Sequence, residues 1–145
     1  MAEVLSWVQD APLVAEEVER RVRRSGAGAV LTFSGVVRDN FDGRSVVALE
    51  YESYAEMAVR EMEKLRTEAL NQWPKARLAM AHRVGRLDVG EPSVIISASA
   101  PHRDTVYRVS RFAIDALKKR VPIWKKECFA DGSVWKANQC GDPVS

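Results

Sequence analysis

PHRDTVYRVSRFAIDALKKRVPIWKKECFADGSVWKA, Pro101 to Ala137, carries a helix and a hairpin in one continuous run. Val106, Val109, Ala113 and Leu117 recur at three- and four-residue spacing, which lines one face of a helix with Asp104 as its cap. Pro122 biases Val121 toward extended backbone, so the helix stops there with Lys118 in its last turn. Ile123 to Cys128 and Val134 to Ala137 then flank Asp131-Gly132, a dipeptide suited to the positive φ of a tight hairpin turn.

Working outward, Arg77 to Val84 and Ser93 to Ala100 read as two strands, expected to pair around Gly85, Gly90 and Pro92. Upstream, Ser53 with Glu56 has the pattern of a capping box, and Ala58, Met62, Leu65, Ala69 and Trp73 share one helical face before Pro74. Two further strands, Ala29 to Ser34 and Val46 to Tyr51, bracket the polar stretch Arg38 to Arg44, read as a mobile loop. Asp10 to Pro12 resembles a cap and first turn for a helix along Val14, Val18 and Val22 that ends by Gly26, with its charged face in solvent. Helices and strands alternate without a regular parallel strand–helix–strand series. The expected fold is therefore α+β: a mainly antiparallel sheet, about three helices and a C-terminal hairpin in a single domain, 1–145, with a flexible tail after about residue 138.

The chain has 145 residues, 46% hydrophobic and 29% charged, which suits one domain with a proper core. Lys and Arg total 22 against 20 acidic residues, a formal charge of only +2. That balance lacks the surplus needed to neutralise many nucleic-acid phosphates, so any anionic partner must meet a local basic cluster. Cys128 and Cys140 have neither disulfide-scaffold density nor CxxC metal spacing, and no apolar run approaches the roughly 20 residues needed to span a bilayer. A cytoplasmic protein with no metal, membrane or nucleic-acid partner is expected.

Four short segments at element ends carry candidate chemistry. Arg38 closes the first strand motif, where a guanidinium fork suits a phosphate, although a solvated loop arginine has the same signature. His102 and Arg103 precede a helix whose exposed N–H groups favour an anion; a plain surface pair is the competing reading. Lys118, Lys119, Arg120, Lys125 and Lys126 crowd five cations into nine residues around Pro122. Cationic neighbours lower a lysine's affinity for its proton, and a nucleophilic or proton-accepting lysine needs this, while a basic surface patch is the bland alternative. Strand alternation puts Lys125 with Glu127 on one face and Lys126 on the other. His82, Trp73 and Trp135 read as core.

The segments Phe33-Ser-Gly-Val-Val-Arg38, Trp73-Pro74, His82-Arg83-Val84-Gly85, Ala100-Pro-His-Arg103 and Leu117-Lys-Lys-Arg-Val-Pro-Ile-Trp-Lys-Lys-Glu127 resemble, in order and spacing, the molybdopterin synthase large-subunit family. The resemblance runs roughly from Gly28 to Asn138. It implies a sulfurtransferase that takes sulfur from the C-terminal thiocarboxylate of a small ubiquitin-like carrier subunit and adds it to cyclic pyranopterin monophosphate, forming the molybdopterin dithiolene. No resident cofactor is implied. By position, Lys118 and Lys125 match the family's essential lysines, and Val36, Val37, Arg38, His102, Arg103, Lys125, Lys126 and Glu127 match its substrate-contacting stretches. Val36 replaces the family's usual basic residue, so only backbone contact is expected there. The implied assembly is a homodimer of this chain carrying two small subunits, a heterotetramer.

Helix geometry adds a constraint. A continuous helix from Asp104 to Lys118 separates Arg103 from Lys118 by roughly 20 Å, at about 1.5 Å per residue. One small pterin cannot touch both, so His102 and Arg103 are expected to serve a neighbouring copy across a two-fold interface. The competing functional class is a non-catalytic module that binds an acidic protein tail through the same cluster. RNA binding ranks below both, since it needs a broader basic face with stacking aromatics.

Overall fold

In the computed structural model, which describes residues 3–132 and 134–138, the long helix and hairpin form as the periodicity requires. The chain order is β1 (Ser6–Gln9), α1 (Ala15–Arg20), β2 (Ala29–Val36), β3 (Asn40–Phe41), β4 (Arg44–Ser53), α2 (Ala55–Gln72), β5 (Arg77–Arg83), β6 (Gly85–Asp88), β7 (Pro92–Ala100), α3 (Arg103–Arg120), β8 (Ile123–Phe129) and β9 (Val134–Asn138). This is the expected α+β class with three helices. One sheet has the order β1-β5-β7-β2 and the other β3-β4-β8-β9, with β6 also on β4. Among the described residues only β1 with β5 is parallel. Residues beyond 138, expected to be a flexible tail, lie outside the described residues, as does Cys140.

The first sheet is buried on both faces, which explains the nearly unbroken apolar runs of β5 and β7. On one side Leu78, Met80, Ile96 and Ala98 pack with Ala58, Met62 and Leu65 of α2 and Val106, Val109, Ala113 and Leu117 of α3. On the other, Ala79, Ala81 and Ile95 pack with Leu5, Leu13, Val18 and Val22 around α1. The same main core continues to Leu49, Tyr51, Leu87, Ile123 and Phe129 of the second sheet, so the two sheets share one interior. Trp73 is half-buried, edge-on to Phe112 with ring centroids 5.9 Å apart.

Several local expectations need correction. α1 is one and a half turns capped by Val14; only Val18 and Val22 of the periodic valines enter the core, because Val14 precedes the helix in extended geometry and is 49% exposed. Ser53 does not cap α2: Tyr54 takes that place without a side-chain bond, since Ser53 is the last residue of β4, paired with Ile123. α3 begins one residue before Asp104, with His102 at the cap. The supposed loop at 38–44 is a hairpin, Asn40 opposite Ser45 and Phe41 opposite Arg44, turned by Asp42 and Gly43 at φ 50° and 76°. Two positive φ values match the twist of a two-residue hairpin, so Asp42-Gly43 was the overlooked signal. β1 and β6, four residues each, are too short for periodicity to register.

Gly28 joins the start of β2 to the end of β7. A Cβ there would lie 2.6 Å from the Pro101 carbonyl oxygen, a backbone atom that cannot swing aside. Gly28→Ala should therefore destabilise the protein by about 1–3 kcal/mol, the usual cost of forced overpacking, read as a lowered urea midpoint with unchanged slope. An unaltered midpoint would show that the β2–Pro101 approach is loose.

Candidate active site

The cross-strand register of β4 and β8 creates a charged pocket in the wall of the core. Leu49 faces Glu127, Tyr51 faces Lys125 and Ser53 faces Ile123, so all six side chains share the inward side. Ile123 and Phe129 fill the apolar ends, leaving Lys125 and Glu127 between them. Glu127 is 3% exposed, and its Oε1 accepts from the Lys125 ammonium at 3.3 Å. Its Oε2 is buried without a hydrogen-bond partner among the described residues. The Lys125 Nζ also lies 5.8 Å above the Phe41 ring, within reach of a cation–π attraction.

Around this pair is a cavity of about 230 Å³, reached by Gly35, Val36, Arg38 and Asn40 from the end of β2, Tyr51 from β4, Ser93 from β7 and Lys118 from α3. Lys118 arrives because α3 ends directly over this sheet junction: Leu117 is fully buried and Val121 turns extended, φ −81°, ψ 127°, before Pro122. Three cations and one carboxylate thus line a single small space, one charge of which is itself inside the protein. A concave, positively charged hollow with low-dielectric walls focuses its field on anions more strongly than a flat patch of the same residues.

Not all the candidates meet here. Lys126 is on the outer side of β8, 2.9 Å from Glu50, in a second cleft with Trp124 and Tyr54 that Lys125 also borders. Its hydrogen bond to Glu50, reinforced by that carboxylate's charge, raises its pKa. Val37 is buried in the main core; its N–H donates to the Glu91 carbonyl at 3.0 Å and its carbonyl accepts from Gly90 at 2.8 Å. Val36 does border the cavity and is half exposed. His102 and Arg103 are exposed at the opposite end of α3 and do not border the cavity. His82 is fully buried, hydrogen-bonded through Nδ1 to the Arg83 carbonyl oxygen at 2.7 Å and edge-on to Tyr51 at 5.0 Å, the structural role expected of it.

Tyr51 and Ser93 carry no sequence signal, since only the pairing of β4 with β8 and of β2 with β7 brings them to the cavity. The Ser93 hydroxyl donates to the Gly35 carbonyl at 3.2 Å and is hydrogen-bonded to Tyr51. Burial raises the Tyr51 pKa above its ordinary 10; the Ser93 bond partly offsets this, and the nearby Glu127 charge adds to it. A raised folded value means the stability it confers is fully present below pH ~10 and is lost as pH rises through the folded pKa. Tyr51→Phe should remove a phenol that ionises above its ordinary range from an ultraviolet titration and flatten the alkaline fall in stability. Identical titration curves for the two proteins would contradict this burial.

The profile of the MoaE protein family matches residues 8–120, most of the chain. A Halalkalibacterium halodurans protein named molybdopterin synthase catalytic subunit is 40% identical over 132 residues, covering 91% of this chain and 85% of that protein. The human protein of the same name is 41% identical over 127 residues, covering 88% and 68%. Among solved structures, molybdopterin synthase from Staphylococcus aureus superposes with a TM-score of 0.87 at 32% identity, covering 91% of this chain and 96% of that one. A chain from the Helicobacter pylori complex of subunits 1 and 2 of molybdopterin-converting factor shares the fold at a TM-score of 0.73 and 21% identity, covering 88% and 87%. With the profile spanning both the core elements and Lys118, and with relatives 40% and 41% identical over most of its length, the chain belongs to the MoaE family.

Proposed function

We propose that the chain is the catalytic subunit of molybdopterin synthase, a sulfurtransferase that moves sulfur from the C-terminal thiocarboxylate of a small ubiquitin-like carrier to cyclic pyranopterin monophosphate, making the molybdopterin dithiolene. One observation carries the reading: Arg38, Lys118 and Lys125 line the same small cavity, with only Glu127 opposing them. Both reactants are anions, and here the exposed Arg38 and Lys118 meet the half-buried Lys125 around one hollow. The relatives' shared name and the two-subunit complex of the Helicobacter pylori protein support the same assignment.

In this reading Arg38 grips the pterin phosphate by two-point hydrogen bonding. Lys125 binds the thiocarboxylate and stabilises negative charge developing at its carbonyl, while Glu127 fixes the ammonium's direction. Lys118 acts at the pterin as acid or base, or as transient acyl acceptor, helped by the cations beside it. Val36 contributes backbone only, Val37 supports that backbone from the core, and Lys126 acts from the outer face of β8. The carrier supplies the sulfur and the pterin is substrate, so no resident cofactor is needed, and a thiocarboxylate suits the reducing cytoplasm.

α3 spans Arg103–Arg120, so Arg103 and Lys118 are about 22 Å apart along its axis. His102 and Arg103 therefore serve the cavity of a second copy, in a homodimer with one carrier at each outer end, a heterotetramer.

Lys118→Ala should lower single-turnover dithiolene formation by roughly 10²-fold or more while leaving carrier binding within a few-fold, as expected for loss of a proton-transfer group. Full turnover by that variant would remove Lys118 from the chemistry, and a tight carrier complex without dithiolene from the unsubstituted chain would make the protein a binding module. Mixed Arg103→Ala and Lys118→Ala chains should recover part of the activity that each lacks alone; no recovery would confine each site to one chain.

A further inference from the structure

We propose that Arg83 is a positioning residue for the reaction: its ion pair with Glu91 fixes the turn that aims Val36 and Arg38 at the cavity. The inference rests on the preceding reading only for what Arg38 grips.

Arg83 belongs to the segment His82-Arg83-Val84-Gly85, no residue of which borders the cavity. It ends β5 and is 8% exposed. Its Nη1 pairs with Glu91 Oε2, and its Nη2 donates to the Arg86 carbonyl at 3.4 Å. Its Nε is buried with no hydrogen-bond partner among the described residues. Enclosing a guanidinium so incompletely served costs solvation, and apolar residues of similar volume would serve stability as well or better. The reason for an arginine here lies instead in what Glu91 holds.

Glu91 sits in the turn between β6 and β7, where Gly90 has a φ of 91°. The turn closes on itself: the Glu91 N–H donates to the Asp88 carbonyl at 3.1 Å, and the Asp88 N–H reaches Glu91 Oε1 at 3.4 Å. Two bonds then cross to Val37. Its N–H donates to the Glu91 carbonyl at 3.0 Å, and its carbonyl accepts from the Gly90 N–H at 2.8 Å. Both backbone groups of Val37 are thus held by one turn, and Arg83 ties that turn to the end of β5.

These bonds matter because the regular ladder fails at this point. β2 and β7 pair residue for residue from Ala29 opposite Ala100 to Gly35 opposite Val94. The register then shifts, and Val36 lies opposite Pro92, which has no N–H to offer. Further along, the Asp39 carbonyl accepts from the Val46 N–H at 2.8 Å, so Arg38 lies between two anchors. Burial of the Val37 side chain presses the segment onto the core, but the bonds to the turn set the rotation of its backbone. Successive side chains of extended backbone point to opposite sides, so that rotation directs Val36 and Arg38 together toward the cavity they border. A misplacement of about 1 Å suffices to undo much of what a positioned group contributes.

Amide hydrogen exchange reads this clamp without any substrate. Arg83→Met should speed exchange at Val37 and Gly90 by roughly 10-fold or more, while amides inside β5 and β7 keep their rates. Supplied with carrier and pterin, the same variant should raise the pterin KM roughly 10-fold and leave kcat within a few-fold, because a binding group is misaimed and the reacting groups are untouched. Arg83→Lys keeps the charge but not the fork, so it should fall between the two, and it carries the test if Arg83→Met does not fold. In an Arg38→Ala chain, the same change at Arg83 should shift KM by less than about twofold, since the group it aims is gone. A residue that only stabilises the fold would show its full effect there again. Unchanged exchange at Val37 and Gly90, an unchanged KM, or an additive effect in the Arg38→Ala chain overturns the proposal. Absence of dithiolene from the unsubstituted chain would instead sink the functional reading, and the exchange rates alone would decide whether the clamp exists.

Discussion

The ion pair between Lys125 and Glu127 is the constraint on which the rest of the molecule depends. Two charges occupy the inward side of β8, where an ordinary strand would carry valine or isoleucine. Enclosing them costs solvation, and the Glu127 oxygen without a hydrogen-bond partner shows that the internal contacts do not fully compensate. Apolar residues of similar size would serve stability as well or better. The arrangement therefore makes physical sense as the wall of a cavity built for an incoming anion, and the surrounding core holds it in place: Ile123 and Phe129 bracket the pair, and Tyr51 and Leu49 back it from β4.

That wall is useful only because α3 ends against it. Val106, Val109, Ala113 and Leu117 bind the helix to the β7 side of the first sheet, while Pro122 forces the chain to leave helical geometry within two residues of Arg120. Lys118 is thus delivered to the junction between the sheets, and Lys125 follows in the very next strand. A bidentate contact from Arg120 to Glu68, 2.6 and 3.0 Å, joins the last turn of α3 to α2 at the surface. It adds little energy because both groups are exposed, but it gives the helix end a preferred direction.

Much of this was legible in the amino-acid order and some was not, for definite reasons. α2, α3, β5, β7 and β8 are long enough for their 3.6- or 2-residue periods to show, and Ala58, Met62, Leu65 and Ala69 of α2 and Val106, Val109, Ala113 and Leu117 of α3 are buried as expected, with Trp73 half-buried at the cap. Alternation correctly separated Lys125 and Glu127 from Lys126. The four-residue strands β1 and β6 carry too few side chains to display a period, and Ser53 imitated a helix cap because capping patterns do not register that a residue is already paired in a sheet. Tyr51 and Ser93 were invisible as cavity residues for a related reason: nothing local to either indicates which strand will lie opposite.

Register is therefore as much a part of the site as residue identity. A slip of β8 by one position would turn Trp124, Lys126 and Cys128 inward and send Lys125 and Glu127 to solvent, since side chains alternate with a period of two. Burial of Ile123 and Phe129 opposes that slip, and so does the cross-strand contact between Lys126 and Glu50 on the outer face. The shift in pairing between Val46 and Ala48 limits it further, because a bulge fixes which residues can oppose one another. Adjacent lysines in the sequence thus acquire different environments, one half enclosed beside a buried carboxylate and one held at the surface by Glu50. The distinction comes from the pleat of a single strand, and it is the step at which a run of basic residues becomes a pocket.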